Sequence, residues 1–194
     1  MDTLAHVTIG TIACSRSGLP GGTRGAVNAK GKPVYFWSDW TFWTAAGFAL
    51  IPDLSSFGAF IIQRIISGNF VPGKPELDTL PEYVFFNYNL THSLVIAAGV
   101  GFLLWFFARP IVIPFISWPL HILCDIPVHS RDYFPTPFLY PLSDYTINGI
   151  SFGGNPWVIY TYWSIILILF STVVLMRGGV RLKLNGGLDT ESSG

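Results

Sequence analysis

From Trp157 to Met176 the chain runs through twenty positions without a charge, close to the ~20 residues a helix needs to cross the hydrocarbon of a bilayer. Trp157, Tyr160, Tyr162 and Trp163 cluster at one end of this run, where amphipathic rings favour the headgroup level. A second uncharged stretch, Ser93 to Ala108, is followed by Arg109, and a third runs from Pro110 to Cys124 with His121 as its one ionisable group besides the thiol. The pattern predicts two membrane helices joined tightly at Ala108-Arg109-Pro110, the second kinked where Pro114 and Pro119 remove backbone donors. Val34 to Pro52, with Asp39 near its start, predicts a further span. Leu4 to Cys14 is apolar but short, and it lacks the basic residues that precede the core of a signal peptide, so it reads as a retained first helix.

Two regions are too polar or too broken to cross hydrocarbon. Ser15 to Pro33 carries five glycines and four basic residues and reads as a polar loop. Its run Gly18 to Gly25 lacks the Gly-Lys-Ser/Thr ending of a phosphate loop and reads as a solvated turn. Phe57 to Ile66 is apolar but interrupted by Gln63 and Arg64, which predicts a re-entrant or interfacial segment. The expected architecture is all-α: a polytopic membrane protein with four or five membrane helices in a single domain over residues 1–183. A polar tail, 184–194, is expected to be disordered.

Composition agrees with a membrane protein. Hydrophobic residues make up 51% of the chain and charged residues 11%, against roughly 25% charged in soluble domains. Eleven basic and eleven acidic residues cancel, which leaves no cationic surface for a phosphate backbone; no nucleic-acid partner is expected. Cys14 and Cys124 are too few and too far apart for a disulfide framework or a cysteine-rich zinc site.

The ionisable residues carry the chemistry. An ionisable group among membrane segments is costly and marks a function or a partner. His121 and Asp125 are four apart and so project from one helix face, as two ligands of one ion must. His129 follows at the same interval beyond Pro127, within reach from a loop. His92 starts one helix of the Arg109 hairpin while His121 and Asp125 end the other, which puts all three at one membrane face. Asp53, at the end of the Val34 span, and His6, at the start of the first helix, join them if the Ser15–Pro33 loop lies at the opposite face. Imidazole and carboxylate donors suit a divalent metal, zinc first, with manganese, iron or nickel as competitors.

These residues resemble the membrane-bound metal-dependent hydrolase family of small bacterial and archaeal membrane proteins. The resemblance rests on Met1-Asp2-Thr3-Leu4-Ala5-His6 with Gly10 after it, Pro52-Asp53, Thr91-His92-Ser93, His121-Ile122-Leu123-Cys124-Asp125 and Pro141-Leu142-Ser143. The histidine-arginine-glycine usual before threonine-histidine-serine is replaced here by Asn87-Tyr88-Asn89, with Leu90 leading into Thr91. The family is distantly similar to zinc-dependent phospholipase C and the fungal single-strand nucleases. The resemblance implies a site of His6, Asp53, His92, His121 and Asp125 with His129 as an addition, holding one or two ions. It also implies that Asp53 bridges metals or orients the nucleophilic water.

The expected activity is therefore metal-dependent hydrolysis of a phosphoester or lipid-like substrate at a membrane. The alternatives are a non-catalytic metal-binding scaffold or a metal transporter, and a structural protein whose polar groups pair with one another. Arg131 could grip an anionic group bidentately, or serve as an ordinary interfacial arginine. The aromatic, proline-rich segment Ile126 to Pro156 reads equally as a lid or amphiphile-binding wall and as an interfacial anchor. Placing the site at one face sets Arg16, Arg24, Lys30, Lys32, Arg109, Arg177, Arg181 and Lys183 at the other. Lys74 and Arg131 stay with the site, and Arg64 is unassigned. Basic residues favour the cytoplasm, so the expectation is a site opening outward and a cytoplasmic C-terminus.

Overall fold

The computed structural model describes residues 1–22, 28 and 34–191, with side chains through Arg177. Every regular element among the described residues is helical, and the only β-type contact among them is an isolated bridge, Ser130 to Tyr133. The basic residues Arg24, Lys30 and Lys32, the end of the glycine-rich run, and the side chains of Arg181 and Lys183 lie outside the described residues.

Helix α1 (Thr3–Cys14) starts where the Asp2 carboxylate accepts from the Ala5 amide at 2.8 Å, the usual way an aspartate satisfies an orphan donor in the first turn. Its twelve residues extend only about 18 Å at 1.5 Å per residue. Helix α2 (Trp40–Asp53) is capped by buried Asp39, which accepts from the amides of Thr41 at 3.0 Å and Ser17 at 2.7 Å. Asp39 thereby ties the start of α2 to the loop after α1. Pro52 deprives the last turn of α2 of a donor, and the chain passes through a π turn, Leu54–Gly58, into α3 (Ala59–Ile66). π turns inside helices recur at functional sites.

The segment Trp40–Ile66 is thus one apolar helical span of 27 residues. This corrects two expectations together. Phe57 to Ile66 continues the second helix instead of forming a separate re-entrant piece, and Asp53 sits in the middle of the span, not at its end.

Helix α4 (Glu82–Thr91) and helix α5 (Leu94–Phe107) meet at His92 with a bend of 56°. The break has a local cause: Ser93 is extended and its hydroxyl accepts from the Ile96 amide at 3.2 Å, opening a new helix. The stretch after Arg109 is shorter than the apolar run suggested. It divides into α6 (Val112–Phe115) and α7 (Ser117–Asp125) around Ile116. Pro114 interrupts the backbone ladder there, while Pro119 sits in the first turn of α7, where its missing donor costs little.

Helix α8 (Pro156–Glu191) is long and mostly exposed over its apolar half. By length and composition two helices, Trp40–Ile66 and Pro156–Arg177, can cross a membrane, or three if the bent pair α4 and α5 is one span. That is fewer than the four or five expected. Helix α1 is too short and the 110–124 run too broken to span by themselves.

Helix α1 packs against α2, α7 and α8, and α7 also touches α5. The closest approach is at Gly10: a β-carbon there would lie 2.8 Å from the Ala49 Cβ and 3.0 Å from the Ser117 Cβ. Only hydrogen in place of a side chain lets α1, α2 and α7 meet. At the far end, the buried Arg177 guanidinium donates to the carbonyls of Ser17 (2.9 Å) and Val34, and lies over the Phe36 ring. The end of the α8 span is fastened to the loop that follows α1.

Candidate metal centre

Four residues from three places in the fold converge on one buried cluster. The π-turn junction at the end of α2 supplies Asp53, the α4–α5 break supplies His92, and α7 supplies His121 and Asp125. One ligand atom from each of these four residues lies within 4.8 Å of the others. His92 Nε2 is 3.3 Å from His121 Nε2. Asp125 Oδ2 is 3.2 Å from His121 Nε2 and 3.5 Å from His92 Nε2. Asp53 Oδ1 is 3.5 Å from His121 Nε2 and 3.8 Å from His92 Nε2.

Backbone carbonyls behind the rings assign the tautomers. His121 Nδ1 faces the Ala49 carbonyl at 2.7 Å, His92 Nδ1 faces that of Tyr88 at 3.2 Å, and His129 Nδ1 faces that of Phe134 at 2.8 Å. A carbonyl only accepts, so each Nδ1 carries a proton, which in a neutral ring leaves the lone pair on Nε2. This is the outer-shell arrangement that orients histidines for a metal. The Trp118 indole donates to the Thr91 carbonyl at 2.7 Å and locks α7 onto the α4–α5 break.

Two imidazole Nε2 atoms and two carboxylates therefore face one water-poor space, an arrangement that a shared cation, a proton or a metal ion, holds together. The donor set also fits an ion. At ligand distances of ~2.0–2.1 Å the edge of a zinc tetrahedron is roughly 3.3–3.4 Å, and the five separations above bracket that value.

His6 and His129 stand beside this set of four. Asp125 Oδ1 meets His6 Nε2 at 2.8 Å and His129 Nε2 at 3.4 Å, and the Met1 main-chain nitrogen also contacts it. The two oxygens of Asp125 thus serve two groups, His92 and His121 on one side, His6 and His129 on the other. The His6 ring stacks on His121 with centroids 3.5 Å apart, and its Nδ1 is buried with no hydrogen-bond partner. Burial outweighs the attraction of Asp125 and drops the His129 imidazole to a pKa of about 4, so the ring is neutral near pH 7.

Asp53 is the most accessible of the four, with 20% of its side chain exposed against 1% or less for the others. Its second oxygen accepts from the Thr3 hydroxyl at 2.5 Å. Asp53 and His129 open onto a cavity of about 640 Å³, within the size range of small-molecule sites. Leu50, Leu54, Phe57 and Ile61 form one wall, and the Ile126–Pro156 segment forms another through Val128, Tyr133, Phe134 and Phe152. No protein-family model matches the chain, and neither does any curated protein or solved structure.

Arg131 is placed elsewhere. Its guanidinium donates to the Thr146 carbonyl at 2.7 Å and its amide to Asn148 at 2.8 Å, and it does not line the cavity. Two residues that the sequence did not offer as ligands or substrate-binding groups take part instead. The Tyr88 hydroxyl donates to the Phe134 carbonyl and lies 3.1 Å from His129 Nδ1, while its ring stacks on His92. Lys74 lines the cavity with its ammonium 3.7 Å from the centre of the Tyr133 ring.

Proposed function

We propose that the protein is an integral membrane hydrolase that uses one or two divalent metal ions, zinc first, to hydrolyse a phosphoester or lipid-like substrate through metal-activated water. The observation that carries this reading is the cluster of Asp53, His92, His121 and Asp125, with proton-bearing Nδ1 atoms turned outward and one accessible member facing an apolar cavity. The motif resemblance to membrane-bound metal-dependent hydrolases supports it independently of the geometry.

In this reading the four residues hold the first ion, and Asp125 Oδ1 with His6 and His129 provides for a second. When bound, such an ion lowers the pKa of water toward ~7 and polarises a phosphoryl or carbonyl oxygen. Asp53, held by Thr3, accepts a proton from and orients a water at the cavity mouth. Helices α2, α4 and α7 keep the donors dry and fixed. Elemental analysis of purified protein, followed by turnover of phosphoester and carboxylic ester amphiphiles, tests the proposal. Stoichiometric metal with turnover is expected, and protein that takes up none of these ions overturns it.

A second reading is favoured by one observation: Asp53 lies in the middle of an apolar span, where carriers hold their ligands. A metal transporter would move ions across proteoliposomes in proportion to a gradient, and a hydrolase would not.

The orientation belongs to the same proposal. Arg177 binds the Ser17 and Val34 carbonyls, which puts the end of α8 with Arg16 and the start of α2. The cavity lies toward Lys74 and Pro75 at the other end. The arginine-rich end is then cytoplasmic, and the cavity opens outward.

A further inference from the structure

Resting on the hydrolase reading, we propose that the cavity takes a single-chain anionic amphiphile drawn from the bilayer, with Lys74 recognising its phosphate-like head. Three observations carry this. The cavity is lined chiefly by apolar side chains, and Lys74 is the only lysine or arginine on its wall among the described residues. Lys74 is held without an ion pair: its ammonium sits over Tyr133, whose hydroxyl donates to the Pro75 carbonyl at 2.9 Å. Glu76, Asp78 and Asp132 line the neighbouring groove, but none forms a salt bridge with Lys74.

The third observation is the route of entry. Ile61 lines the cavity and is itself exposed, and Ile65 follows one helical turn later on the same face, also exposed. The apolar wall of the cavity is therefore continuous with an outer surface suited to hydrocarbon. Tyr133 packs on Phe134, whose carbonyl accepts a hydrogen bond from His129 Nδ1, so the lysine is linked through one run of contacts to His129 beside the cluster. Leu54, Phe57 and Ile61 offer a wall along which a chain can lie, and Lys74 and Asp53 line the same cavity. A fixed ammonium recognises a phosphate more strongly than an uncharged hydroxyl at the same place. That preference does not require Lys74 to touch the metal.

The test uses the full chain in nanodiscs of neutral phosphatidylcholine and a photoreactive dodecyl phosphate carrying a diazirine at the chain end. Cross-links are expected on the segment 54–61 and on Phe152. Dodecyl phosphate should compete about ten-fold more effectively than dodecanol, the size of one charge-assisted contact. Lys74→Gln should reduce that preference to about three-fold or less with metal content unchanged, Lys74→Arg should keep most of it, and Ile61→Trp should weaken labelling by filling the cavity. Equal competition by the two dodecyl compounds in the natural protein overturns the proposal, as does labelling confined to α8 or a preference untouched in Lys74→Gln. Failure of the hydrolase reading alone is distinct: no metal and no turnover, with the labelling and its phosphate preference intact.

Discussion

His92 and His121 bring their Nε2 atoms to 3.3 Å of each other while each commits its Nδ1 proton to a backbone carbonyl. Two imidazole nitrogens at this separation, inside the fold and against the carboxylates of Asp53 and Asp125, call for a shared positive charge, which either a proton on one Nε2 or a metal ion supplies with both Nδ1–carbonyl hydrogen bonds intact. In the reading proposed above that charge is a divalent cation.

Substituting His121→Ala or Asp125→Ala should each reduce bound metal from stoichiometric to near background while the protein remains membrane-inserted. Each removes one of four converging donors, whereas insertion depends on the apolar spans. Elemental analysis of the purified variants measures this. Full metal occupancy in both would remove α7 from the site.

The Asp53→Asn variant separates ligation from chemistry. Asparagine keeps the shape and one carbonyl acceptor but cannot take a proton, so turnover should fall by about 10²–10⁴, the usual worth of a general base. Metal content should fall much less. Parallel assays of metal and rate on any substrate found in the ester screen decide it, and an unchanged rate would exclude Asp53 from proton transfer.

Gly10→Ala probes the packing that carries the site. The added methyl would lie 2.8 Å from the Ala49 Cβ and 3.0 Å from the Ser117 Cβ, so α1 must move away from α2 and α7. A loss of about 1–3 kcal/mol is expected from such overpacking, together with weaker metal binding, because His6 and His121 lie one turn along from the contact on their helices. Thermal unfolding in detergent with and without zinc measures both effects. An unchanged midpoint would mean that the helices separate freely.

Orientation is open to direct labelling. In a background lacking Cys14 and Cys124, single cysteines at Pro20 and Asp144, both exposed, should differ toward a membrane-impermeant thiol reagent on intact cells. Asp144→Cys should react and Pro20→Cys should not. The reverse pattern would turn the cavity toward the cytoplasm.

Several parts of this protein were legible in the chain alone. The all-helical character and the span ending near Arg177 follow from uncharged runs whose length matches a bilayer. The pairing of His121 with Asp125 follows from helical periodicity, since a spacing of four puts both on one face in any helix. His92 was legible as a ligand candidate because an ionisable group among apolar residues needs a partner.

What the chain did not disclose depends on which backbone groups meet across the fold. Trp40–Ile66 reads as two pieces because Pro52 and Asp53 look like an ending. In the tertiary structure the backbone stays helical past Pro52 through a π turn, and the Ser56 and Thr91 hydroxyls donate to the Pro52 carbonyl, so the helix continues and Asp53 falls at mid-span. The run 110–124 reads as one kinked helix, and it is divided at Ile116, after Pro114, into two short ones. Tautomers could not be read at all, since the carbonyls of Ala49, Tyr88 and Phe134 that fix them are main-chain groups present at every position. Lys74 sits in a loop with no pattern, and only the contact with Tyr133 places it on the cavity wall. Sequence thus determined which groups are too costly to leave alone among apolar helices. Tertiary structure decided which of them meet, because that depends on helix breaks and close contacts, as at Gly10, that no periodicity encodes.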